Sequence, residues 1–184
     1  MTETPRTKLE FSLSLYPDPV LRRPAVAIDH FDEGLRATVS AMFERMRASS
    51  GVGLAAPQVG LGLRILVLNA TGRPEDDLAL INVTILERSG PLTVFEEGCL
   101  SFPEIYAEVK RPERCKVKYC DLEGRQFERE FEGFESRIVQ HEYDHLEGVL
   151  LVDRMSPADK TRHRAALAEL VERFKTRASS KVAR

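Results

Sequence analysis

The residues most able to do chemistry lie in one short run, Gln140-His141-Glu142-Tyr143-Asp144-His145-Leu146-Glu147-Gly148. On a helix, positions four apart stack on one face, so His141 and His145 can offer two imidazoles to one metal ion. Glu142 stands beside them, where a carboxylate can move a proton to or from a water polarised by that metal. The plainer alternative is a surface helix that happens to carry two histidines. Against it, the histidine side of this helix otherwise reads as apolar. Two neutral imidazoles facing a core need polar partners, which a metal supplies.

A catalytic metal usually takes three protein ligands and keeps one position open. Downstream, His163 in the polar C-terminal segment is the only later histidine. Upstream lies Glu97-Gly98-Cys99-Leu100-Ser101, just after the β-prone run Leu92 to Phe95. There Cys99 can project a thiolate from a strand end. Taken alone it would be a small packing residue, and it becomes a candidate ligand only beside the histidine helix. Cys115 and Cys120, five apart in a strand, point to opposite faces and read as packing residues. A third segment, Gly51 to Gly60 (GVGLAAPQVG), is built of small residues that let a backbone approach another chain or a ligand closely. It lacks the Gly-Lys-Ser/Thr of a phosphate loop. Its polar side chain, Gln58, can donate to a developing oxyanion.

These residues need elements to hold them. Tyr16 to Asp29 carries Pro17, Pro19 and Pro24 and should be extended. Asp29 or Asp32 can cap a helix to about Ser49, with Leu35, Val39, Met42, Phe43 and Met46 on one face. Arg64 to Asn69 and Leu78 to Ile85 read as strands, followed by strands at 91–95, 105–109, 115–121 and 125–131. Leu122-Glu123-Gly124 joins the last two as a hairpin. Phe134, Ile138, His141, His145 and Leu146 then recur at three and four, predicting a helix that ends at Gly148. A short strand is expected at 149–152. Leu167, Leu170, Val171 and Phe174 mark an amphipathic basic helix over about 157–178. The fold class is therefore α+β: mostly antiparallel β-sheet around a buried metal-binding helix, with an N-terminal helix and an amphipathic C-terminal helix.

Composition bounds the rest. The 184 residues are 42% hydrophobic with a formal net charge of -2, enough for one domain. The polar start MTETPRTKLEF is unlike a secretory signal, and no apolar run approaches the roughly 20 residues of a membrane span. The expectation is a cytoplasmic protein with reduced cysteines. Lys160 to Arg184 holds eight basic and two acidic residues, a net +6, leaving -8 on the remainder. A basic tail on an acidic body points to an anionic partner for the tail.

In order and spacing, the three segments resemble the signature motifs of the peptide deformylases: GVGLAAPQ (Gly51 to Gln58), EGCLS (Glu97 to Ser101) and QHEYDHLEG (Gln140 to Gly148). The similarity runs over roughly residues 10 to 156, with Asn82-Val83 standing where many members carry Asn-Pro. The resemblance implies removal of the N-formyl group from nascent formyl-methionine polypeptides, in a bacterial or organellar setting. It implies Fe²⁺, replaceable by Ni²⁺, Co²⁺ or Zn²⁺, on Cys99, His141 and His145, a ligand set those metals suit. Glu142 would take a proton from water and return it to the leaving amine. The Leu100 backbone N–H and the Gln58 amide would stabilise the oxyanion. The Val52 and Gly53 backbone would pair with substrate as an added strand. Val52 and Ile138 would wall a methionine pocket. No membrane or DNA partner is expected. The basic helix would either pack as a solvated helix or dock on ribosomal RNA.

Two rivals belong to other classes. A zinc endopeptidase of the His-Glu-x-x-His type needs a third ligand other than Cys99 and a long cleft. A peptide-binding module with a structural metal has no use for Glu142 or Gln58.

Overall fold

A computed structural model describes residues 9–182, and the side chains of residues 9–179. The polar N-terminal start up to Lys8, the side chain of Lys181 and all of Arg184 lie outside these described residues.

Helix α1 (Glu33–Ala48) begins where the Asp32 carboxylate accepts the Leu35 N–H at 2.9 Å, the cap expected from the sequence. Five antiparallel strands follow: β1 (Gly53–Ala55), β2 (Ile65–Leu68), β3 (Leu78–Cys99), β4 (Phe102–Cys120) and β5 (Gln126–Glu132). They form one sheet in the order β1-β2-β3-β4-β5. β2 shows why the sheet is central. Ile65 and Val67 pack with α1, while Leu66 and Leu68 pack on the opposite face under helix α2 (Gly133–Leu146). A strand covered on both faces must be apolar throughout, as Ile-Leu-Val-Leu is. Cys115 and Cys120 serve these same two clusters, one on each face. A third cluster gathers Phe102, Ile105, Ala107 and Val109 of β4 against Leu150, Leu151 and Leu170.

The structure corrects several boundaries. β3 and β4 run without interruption where four short strands were expected. Gly90, at φ +80°, absorbs the Ser89-Gly90-Pro91 break as a register shift between Ser89 and Leu92. Pro112 sits opposite Leu92, where β5 has not yet joined β4, so its missing N–H costs no ladder bond on that side. Residues 151–154 are a helical turn, α3 (Leu151–Arg154), rather than a strand. The Asp153 carboxylate accepts the Leu150 N–H at 2.8 Å and starts the turn. The segment expected to be extended contains a 3-10 turn at Pro19–Arg22, because Asp18 caps Val20 at 3.0 Å and Pro19 opens the turn. The basic helix is two, α4 (Pro157–Arg162) and α5 (Arg164–Val182), separated at His163 with backbone φ -95°, ψ 6°. Asn82 takes φ +53° and its side chain clasps the Ile28 backbone, donating to the carbonyl and accepting from the N–H at 2.7 Å each.

Among the described residues, no helix is long and apolar enough to cross a membrane.

Candidate active site

β3 and β4 meet in a two-residue hairpin, Leu100-Ser101, with Cys99 paired opposite Phe102. The hairpin puts the Cys99 thiol at a strand end, beside α2. There the ligand atoms of Cys99, His141 and His145 all lie within 4.8 Å of one another. Cys99 Sγ is 3.2 Å from His145 Nε2. Bonds of about 2.0–2.3 Å to a central ion require donors to converge on this scale. The donor chemistry fits as well. Burial, then the neighbouring His141 and Arg111 charges, hold His145 well below its ordinary range, so it is a neutral imidazole with a lone pair to give. Burial pulls His141 the same way, but its hydrogen bonds with Cys99 and Glu97 outweigh that and lift it well above. The space between Cys99 and Glu97 thus calls for positive charge, which a metal cation supplies as well as a proton does.

Glu142 is buried on the next position of α2. Its Oε2 has no hydrogen-bond partner among the described residues, and the side chain lines a cavity of ≈ 630 Å³. Burial pushes its carboxyl up to about 7. Gly53 lies against it: a Cβ there would stand 2.6 Å from Glu142 Oε1 and 2.7 Å from Ile138 Cγ2. The close approach expected of the glycine segment is therefore an approach to this carboxylate. Gln58 is fully buried, and its amide is oriented by its own ends. Oε1 accepts the Ala55 N–H at 2.9 Å, which turns Nε2 toward Cys99 Sγ at 3.6 Å and Ser101 Oγ at 3.3 Å.

The cavity gathers the remaining expected residues. Val52, Gly53, Leu100 and Ile138 all line it, beside Cys99, His141 and Glu142, and His145 lies buried beneath. β1 is the last strand of the sheet, so Gly53 stands at its edge, with Val52 just before it accepting the Asn69 N–H at 2.9 Å.

One expectation fails. The histidine side of α2 is not otherwise apolar, since Arg137, Gln140 and Asp144 are buried there too, while Phe134 is half exposed at the cavity. Sequence reasoning passed over the charged scaffold that makes this possible. Glu97 Oε2 accepts from His141 Nδ1 at 2.9 Å, which fixes the ring and leaves Nε2 for the site. Arg111 grips Glu97 with two nitrogens at 2.7 and 2.9 Å and reaches Asp144 at 2.8 Å. Arg154 closes on the same aspartate at 2.9 and 2.5 Å. Burial alone would raise the Glu97 carboxyl. The hydrogen bonds from His141 and Arg111 outweigh it and hold the group far below the usual carboxylate range. A signal for Arg111 was present: Ile105, Ala107, Val109 and Arg111 share the inward face of β4 by alternation.

Comparison with known proteins gives the chain a family. The family described as Polypeptide deformylase matches residues 11–161. A peptide deformylase of Thermotoga maritima is 45% identical over 165 residues, covering 90% of this chain and 99% of the relative. A chloroplastic/mitochondrial peptide deformylase of Arabidopsis thaliana is 49% identical over 143 residues, covering 77% of this chain and 52% of the relative. Among solved structures, the peptide deformylase of Plasmodium falciparum superposes with a TM-score of 0.87 at 40% identity, covering 90% and 98% of the two chains.

Proposed function

The chain belongs to the polypeptide deformylase family, hydrolases that remove N-formyl groups, and on that premise we propose that it releases formate from the N-terminal formyl-methionine of newly made polypeptides in a metal-dependent reaction. The observation that carries the reading is the convergence of Cys99, His141 and His145 beside Glu142, whose buried Oε2 lacks a partner among the described residues, at the wall of a cavity of ≈ 630 Å³.

Cys99, His141 and His145 would hold the metal, a thiolate and imidazole set that suits Fe²⁺, the ion the family resemblance implies, and accepts Ni²⁺, Co²⁺ or Zn²⁺ in its place. When bound, the ion supplies Lewis-acid polarisation of water and of the formyl oxygen. Glu142 accepts the proton of the attacking water and delivers it to the leaving amine nitrogen. Burial raises this carboxyl and a bound cation would lower it, opposing effects that keep both transfers within its reach. Gln58 Nε2 and the Leu100 backbone N–H donate to the oxygen that becomes negative. The open β1 edge at Val52 and Gly53 pairs with the substrate backbone, and Val52 and Ile138 contact the methionine side chain. The setting is the bacterial cytoplasm. α5, exposed along most of its length, docks through its basic side chains on ribosomal RNA near emerging chains.

The test is deformylation of formyl-Met-Ala-Ser by protein purified anaerobically with Fe²⁺, beside Cys99→Ala. Loss of both metal and turnover in the variant supports the three-ligand site. A fully metallated wild type that releases no formate refutes the reaction. Cys99→Ala that keeps its metal favours the endopeptidase arrangement instead.

A further inference from the structure

The hydrolysis described above makes no use of Arg137, yet its guanidinium is almost wholly buried at the cavity. Its two terminal nitrogens meet four acceptors. Nη1 donates to Glu97 Oε1 at 2.8 Å and to the Val109 carbonyl at 3.0 Å. Nη2 donates to the Thr93 carbonyl at 3.0 Å and to Thr93 Oγ1 at 2.8 Å. The guanidinium also lies over the Phe95 ring, 5.5 Å from its centroid, and Phe95 in turn contacts Phe134 at 6.2 Å. One side chain of α2 thereby holds β3 at Thr93, Phe95 and Glu97, and β4 at Val109.

That connection matters because of how the sheet is built. β2 pairs with β3 only over residues 65–68 and 78–81, and β5 pairs with β4 only over 126–132 and 114–120. Among the described residues, the outer half of the β3–β4 ribbon, about residues 92–112, has no further strand paired along either side. A two-stranded ribbon is a marginal structure without support. Its β4 half is supported by the third core cluster, through Ile105, Ala107 and Val109. On the β3 half, Phe95 is half exposed at the cavity, Glu97 is held to α2 by both His141 and Arg137, and Thr93 is held to α2 through Arg137.

We propose that Arg137 is a positioning residue that sets the width of the cavity by tethering the β3–β4 ribbon to α2, and thereby sets selectivity for the substrate side chain next to the formyl group. The inference rests on the deformylase reading. It acts through Phe95 and Glu97, not through contact with the reacting atoms. Lysine cannot replace it fully, because an ammonium offers three donors from one point where the fork spans two strands.

The test compares wild type, Arg137→Lys, Arg137→Gln, Thr93→Val and the double variant Arg137→Gln/Thr93→Val, each loaded with Ni²⁺. Kinetics are read with formyl-Met-Ala-Ser and formyl-Ala-Ala-Ser, and binding of Met-Ala-Ser and Ala-Ala-Ser by calorimetry. Arg137→Gln should raise KM for formyl-Met-Ala-Ser about tenfold, change kcat by less than about threefold, and cut the Met-over-Ala preference about tenfold, the scale on which apolar pockets discriminate. Arg137→Lys should fall between. Thr93→Val should give a smaller loss that adds nothing in the double variant. An unchanged preference in Arg137→Gln, or a fall in kcat at constant KM, overturns the inference. If Arg137→Gln does not fold, an unchanged preference in both Arg137→Lys and Thr93→Val overturns it. If the wild type binds Met-Ala-Ser without deformylating its formyl counterpart, the reaction is refuted and the binding preference alone decides the role of Arg137. A wild type that neither deformylates the formyl tripeptides nor binds their products overturns both.

Discussion

Replacing Glu142 by glutamine in metal-free protein separates the electrostatic state of that residue from its role in turnover. Burial raises its carboxyl from 4.5 to about 7. The sign follows from proton linkage. A carboxyl whose pKa is higher folded than unfolded binds its proton more tightly in the native state. Its penalty is small at low pH, grows as pH rises from the unfolded value to the folded one, and is constant above. The full penalty is about 3 kcal/mol, of which less than about 1 is present at pH 5 and nearly all at pH 8. Glutamine is nearly isosteric and carries no charge at either pH. The stability of Glu142→Gln relative to wild type should therefore improve by about 2–3 kcal/mol between pH 5 and pH 8. Urea unfolding of both proteins in chelator at the two pH values measures it, and other titrating groups cancel in the comparison. Metal should shrink the effect, because a cation beside the carboxylate favours its charged form. A difference that moves by less than about 0.5 kcal/mol with pH would show that Glu142 is not desolvated as described. The metallated variant should meanwhile lose about 10²- to 10⁴-fold in kcat, the usual worth of a general base.

Other outcomes follow from the same geometry. Glu97→Ala leaves buried Arg137 without its carboxylate and Arg111 with Asp144 alone, and should cost about 3–5 kcal/mol in chemical denaturation. It also frees the His141 ring, so metal affinity measured by competition should fall about 10- to 100-fold. In wild type the Glu97 contribution, its pKa being depressed by folding, is complete above the unfolded carboxyl range and should be lost as pH falls below it. Gly53→Ala places a methyl 2.6 Å from Glu142 Oε1, which should cost about 1–3 kcal/mol and lower kcat more than metal content. Truncation after Ala158 should abolish a salt-dependent fraction of ribosome co-sedimentation, and unchanged, salt-insensitive co-sedimentation would end the docking proposal.

What the sequence makes legible follows from which residues advertise themselves. His141 and His145 do, because two imidazoles four apart on one helix have few other uses. Cys99 does so only in company, since its value depends on the hairpin that carries it to α2. The same logic explains what stays hidden. Arg111, Arg137 and Asp144 read as surface charges because charged side chains are usually solvated. Here each is buried against an opposite charge that lies 14 to 40 positions away in sequence. A pattern of periodicity records which face a residue occupies and nothing of what that face meets. The same distance-blindness divided β3 and β4 into four strands. Ser89-Gly90-Pro91 and Pro112 are local breakers, and they would have ended isolated strands. They do not end these, because each stretch has the other as its partner across the break: Ser89 still pairs Arg114, and Leu92 still pairs Pro112. That continuity is what lets Thr93, Phe95 and Glu97 reach α2 at all. The turn chemistry that sequence reads as termination is, in the folded chain, a bulge that lets the ribbon run on to the hairpin bearing Cys99.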